Sequence, residues 1–89
     1  MGKQILGAAT GVTNATTSAL AGQSPITSGV ITFNGSACEV WIRASVNAVV
    51  RINNFNIPFY AADTLYYELD VDTSSITVVS GTIDFIAFG

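Results

Sequence analysis

The chain has 89 residues, of which 49% are hydrophobic and only 10% charged, with a net charge of −3 and no histidine. That length supports a single core, and three basic residues (Lys3, Arg43, Arg51) are too few to cover a phosphate backbone, so no nucleic-acid partner is expected. Without histidine there is no Ser–His–Asp arrangement, and the single Cys38 can form neither an internal disulfide nor a zinc site. An enzyme is therefore not expected, and neither is a cofactor.

Residues 1–27 are rich in Ala, Gly, Ser and Thr and contain no aromatic residue. A segment of this kind buries too little by itself to stay fixed. It reads as an extended N-terminal arm, held on a neighbouring subunit through Ile5, Leu6 and Val12. The alternative is a first strand pairing within its own sheet. A helix over residues 15–21 is weakened by Ser and Thr. The apolar stretch from Ile5 to Val12 is interrupted by Gly7, Thr10 and Gly11, so it does not read as a secretory leader. Apolar runs fall far short of the roughly 20 residues of a membrane span, and no membrane partner is expected.

From residue 28 to 89 the pattern is that of a β domain. Short runs of Val, Ile, Thr, Phe and Tyr predict strands over 29–33, 38–44, 48–52, 65–71, 76–79 and 82–88, with a short one at 55–57. The punctuation fits. Asn34-Gly35 reads as a tight hairpin turn, and Ser45-Val46-Asn47 as a short connection. Asn53-Asn54 tolerates left-handed geometry, and Pro58 excludes a central strand position. Asp72 to Ser75 and Ser80-Gly81 read as further turns. The expected fold is all-β: a small antiparallel β-sandwich or jelly-roll-like barrel carrying the extended arm.

Alternation assigns faces. Val40 and Ile42 point inward together with Cys38, a buried thiol on this reading, while Glu39, Trp41 and Arg43 point outward. Val50 and Ile52 continue the core, with Arg51 outside. Ile83 and Phe85 share one face of the last strand, but Ile86 and Phe88 occupy the other with Asp84. A strand apolar on both faces is either central or covered by another chain. Trp41, Tyr66, Arg43, Arg51, Glu39 and Glu68 would form an aromatic, ion-paired surface if their strands are neighbours. Such a surface suits a protein interface, and a sugar-stacking platform is the rival. Asp70 and Asp72 lack the Gly and Glu positions of a calcium loop and read as a solvated strand end.

The segment from Ala48 through Asn53-Asn54, Pro58 and Ala61-Ala62-Asp63 to Leu65, with the later run Ser80-Gly81-Thr82-Ile83-Asp84-Phe85-Ile86, resembles small β-sandwich structural proteins of tailed bacteriophages. In those chains a strand leads into a Pro-containing loop, an Ala-Gly-acidic turn, and strands ending in a Gly-Thr hairpin. Ala62 stands here where Gly is usual. The resemblance covers about the C-terminal half and rests on turn chemistry. It implies a virion protein assembled in the host cytoplasm, most simply one decorating or cementing a capsid, or else a tail or fibre component. Its partners would be other copies of itself, as a homo-oligomer, and other virion proteins such as the major capsid protein. The surface candidates for those contacts are Ile5, Leu6, Val12, Trp41, Arg43, Arg51, Tyr66, Ile86 and Phe88.

Overall fold

A computed structural model describes residues 3–19, 24–62 and 64–89. The described residues form seven strands: β1 (Ile5–Val12), β2 (Ile26–Thr27), β3 (Val30–Ala44), β4 (Ala48–Ile52), β5 (Phe55–Phe59), β6 (Tyr67–Ser80) and β7 (Ile83–Phe88). All pairings are antiparallel, in the order β1-β7-β3-β6-β4-β5, with β2 alongside the start of β3. The fold is all-β, as the alternation requires.

Two strands are much longer than the rest, and they organise everything else. The start of β3 pairs with the end of β6, and the end of β3 pairs with the start of β6. Beyond this central pair, β7 adds to the late part of β3, while β4 adds to the late part of β6. The single sheet thus folds over on itself into two layers that share β3 and β6. One layer holds β1, β7, late β3 and early β6. The other holds β2, early β3, late β6, β4 and β5.

The fold-over sits where the register breaks. Between Thr32 and Ala37, β3 is matched only by Ser75 to Thr73 of β6, and the register shifts again between Ala37 and Glu39. Extra residues of this kind bend a strand and let it pass from one layer to the other. Asn34 and Gly35 lie inside this corner, with Gly35 at φ 135°. The tight hairpin expected there is absent because both halves of β3 pair with β6 rather than with each other. The same correction applies to Asp72–Ser75: β6 continues through it as one strand, and Thr73 Oγ1 donates to Ser75 O at 2.8 Å.

The corner also reverses which residues face inward. Ile31, Phe33 and Ala37 are buried, but beyond the break the buried set becomes Val40, Ile42 and Ala44. Cys38 falls on the changeover and is exposed, against the expectation of a buried thiol. The core closes between the layers, where Phe33 meets Phe85 at 5.9 Å and Phe59 meets Tyr67 at 5.3 Å between ring centres. The buried Phe33, Phe59 and Phe85 side chains each contribute on the order of 1.5–3 kcal/mol.

Two turns follow local chemistry. Asn53 and Asn54 adopt φ of 49° and 68° and join β4 to β5 by the two-residue hairpin that left-handed residues favour. Gly81, at φ 79°, turns β6 into β7 so close to Asn47 and Ala48 that an added Cβ would collide with them.

The N-terminal segment is not an arm reaching away. β1 pairs with β7 of its own chain, and Leu6 and Val12 are in the core at 8% and 0% exposure. The radius of gyration, 11.7 Å, is close to the roughly 12 Å expected of a compact chain of this length. Residue 27 is therefore not a boundary between an arm and a domain. The physical reason lies in β7: its backbone has two hydrogen-bonding edges, and β3 and β1 pair with them, while Leu6 and Val12 of β1 fill the core.

Candidate functional site

The outward face of the β1–β7–β3–β6 layer carries the residues with the most chemistry. Strand register puts Trp41 beside Ile86 on one side and Glu68 on the other, with Glu39 between Phe88 and Asp70. Trp41 lies edge-on to Phe88 at 5.4 Å and tilted to Tyr66 at 6.5 Å. Its indole N–H donates to Glu39 Oε2 at 2.6 Å, and Lys3 forms an ion pair with the other oxygen of the same carboxylate. The Lys3 ammonium also stands 5.9 Å from the centre of the Phe88 ring.

A second charged pair locks the other end. Arg43 Nε donates to Asp84 Oδ2 at 3.0 Å, and its guanidinium covers the Tyr66 ring at 5.0 Å. Asp84 Oδ1 accepts the Gly11 N–H at 2.9 Å, which ties a break in the β1–β7 register to this face. Burial pushes the Asp84 carboxyl up, but the Gly11 hydrogen bond and the Arg43 guanidinium outweigh it and hold the carboxyl below its ordinary 3.8. Beside this pair, Ala8, Ala9, Thr10, Tyr66, Phe85 and Ile86 line a shallow hollow of about 330 Å³.

The structure therefore brings together Trp41, Arg43, Tyr66, Ile86 and Phe88, and with them Glu39 and Glu68. It separates three other candidates. Leu6 and Val12 are core residues with no surface to offer. Arg51 is on β4 in the other layer, where it donates to Asn56 Oδ1 at 3.3 Å. Ile5 remains 64% exposed at the β1 edge, in register with Phe88. Lys3 and Gly11 were not among the expected members. A sparse set of charges is the signal that could have found Lys3, since each acidic side chain facing outward needs an accounting.

Arg51 belongs to a different hollow, lined by Asn53, Asn54, Thr73, Ser75 and Thr77 with a volume of about 250 Å³. It is rich in hydrogen-bonding groups and has no aromatic side chain. A sugar site combines a stacking ring with polar groups around it, and this second hollow lacks the ring. Trp41 is half-buried, with its N–H engaged by Glu39 and its ring flanked by Phe88 and Tyr66.

Comparison with protein-family models, curated proteins and solved structures finds no match to this chain.

Proposed function

We propose that this chain is a non-enzymatic structural subunit that works through its outer aromatic face, and that its setting is a bacteriophage virion, where it decorates or cements the capsid. The observation that carries the first part is the Trp41–Phe88–Tyr66 cluster, held at both ends by Lys3–Glu39 and Arg43–Asp84. Trp, Tyr and Arg dominate the energetics of protein interfaces. Here they are already fixed in place, so a partner would pay little ordering entropy on docking. The virion setting rests on the resemblance of the turn-bearing segments between residues 48 and 86, among them the Ser80-Gly81-Thr82 turn.

Particles purified from a producing bacterial culture, analysed by quantitative mass spectrometry, test the reading. A copy number fixed relative to the major shell protein is the expected result, and loss of the chain from particles carrying Ile86→Glu places the contact on this face. Absence of the wild-type chain from intact particles overturns the virion setting. Removing residues 1–27 is not a clean test, because it deletes β1, β2 and the core side chains of Leu6, Val12 and Ile26.

A further inference from the structure

The side of the molecule opposite β1 and β2 is open. There β5 pairs only with β4, and the first half of β6 pairs only with β3. The outward edges of both are without backbone partners among the described residues, and at the far end of the β6 edge Asp72 O accepts the Asn53 side-chain amide at 3.4 Å. Between these edges runs an apolar groove of about 540 Å³, lined chiefly by Phe55, Ile57, Pro58, Leu69 and Val71. Ile57, Leu69 and Val71 pack on the core from one side only, and Phe55 is 72% exposed. A groove that joins unpaired strand edges to unfilled apolar side chains is built to take an added strand.

The charge on β6 says what kind of strand. Leu69 and Val71 point into the groove, whereas Glu68, Asp70 and Asp72 alternate with them on the exposed face. The three carboxylates form no ion pair among the described residues, and the register partners of Glu68 and Asp70 on β3 are Trp41 and Glu39. A second copy pairing antiparallel through the same edge would bring this acidic row against its own image, which destabilises the pairing. An added strand carrying cations at alternate positions would be stabilised instead.

We infer that the β6 edge is a strand-addition site for an extended peptide segment of another protein that alternates apolar and basic residues. Its apolar side chains fill the groove beside Phe55 and Leu69, and its Lys or Arg side chains lie along Glu68, Asp70 and Asp72. The groove is distinct from the Trp41–Phe88–Tyr66 cluster, with Glu68 bordering both, and the inference does not depend on the virion setting.

The test uses the full chain, isotope-labelled, with a capped peptide of about seven residues alternating Val and Lys, the length of a typical added strand. Backbone amide shifts and slowed hydrogen exchange should concentrate at residues 67–72 and along β5. A Val/Glu peptide should bind about tenfold more weakly, the sum of a few cross-strand charge pairs, and N-methylation of alternate peptide nitrogens should abolish binding. Asp70→Lys, at an exposed position that leaves the core untouched, should shrink the preference for the basic peptide. Equal binding of the acidic peptide, shifts confined to the Trp41 face, or no shifts at millimolar peptide would each overturn the inference. So would concentration-dependent shifts at residues 67–72 without peptide, which would give the edge to a second copy.

Discussion

The two flanks of this folded-over sheet are finished very differently. On the β1/β2 flank the chain seals its own edges. Ser18 and Ile26 exchange backbone hydrogen bonds at 2.8 and 2.9 Å, which covers the edge of β2. Ser24, 1% exposed, plugs the gap by donating to Leu6 O at 3.1 Å. On the β5/β6 flank the described chain offers only one such contact, Asn53 Nδ2 donating to Asp72 O at 3.4 Å. Pro58 and the acidic residues of β6 are the devices by which proteins discourage unspecific edge pairing, and both occur here. One flank is closed by its own chain. The other is guarded by charge and left open among the described residues, which is where the proposed peptide strand would add.

Four tests sharpen or break the contrast, and urea denaturation reads the first, second and fourth. Ile26→Ala on the sealed flank, at a site 2% exposed, should cost about 2–5 kcal/mol. Gly7→Ala should cost about 1–3 kcal/mol by overpacking, because an added Cβ would run into the buried Ser24 hydroxyl. Adding Ser24→Gly should recover part of that loss. No recovery would mean that Ser24 does not plug this flank.

Asp84→Asn should cost about 1–2 kcal/mol near neutral pH, as a partly buried, charge-assisted bond does. The folded carboxyl titrates below its ordinary 3.8, so its contribution is full above that value and is lost as the pH falls through the folded value. Stability of wild type and variant should therefore converge below about pH 4, followed by circular dichroism across a pH series. A gap that widens with acid would contradict the Arg43–Asp84–Gly11 arrangement. Smallest of all, Phe55→Ala on the open flank should change stability by less than about 0.5 kcal/mol. A loss like that of Ile26→Ala would show that the open flank is already filled in solution.

Much of the aromatic face could be read in advance. Period-two alternation put Trp41 and Arg43 on the side opposite Val40 and Ile42, and Ile86 and Phe88 opposite Phe85, because each assignment needs only a few adjacent residues. Their gathering onto one face depended on β7 and β6 flanking β3, which no local pattern states. Arg51 shows the limit. It has the same outward alternation as Arg43, yet its strand belongs to the other layer. Cys38 shows another limit, since the register break beside Ala37 inverts the inward face and no residue type announces it.

Asn53-Asn54 and Asn34-Gly35 condense the matter. Both pairs favour a tight turn, and only the first makes one. Turn preference amounts to a local bias of about 1 kcal/mol, whereas continuing β3 through the second pair gains a whole strand's worth of pairing with β6. The amino-acid sequence by itself determined that this protein is built of strands, which side chains alternate on each, and where Asn53-Asn54 and Ser80-Gly81 reverse the chain. Tertiary structure alone decided that the N-terminal segment is a strand of the sheet, that β3 and β6 bend through two layers, and that one flank stays open. Those outcomes rest on contacts between residues far apart in the chain, whose summed burial and pairing outweigh any local preference.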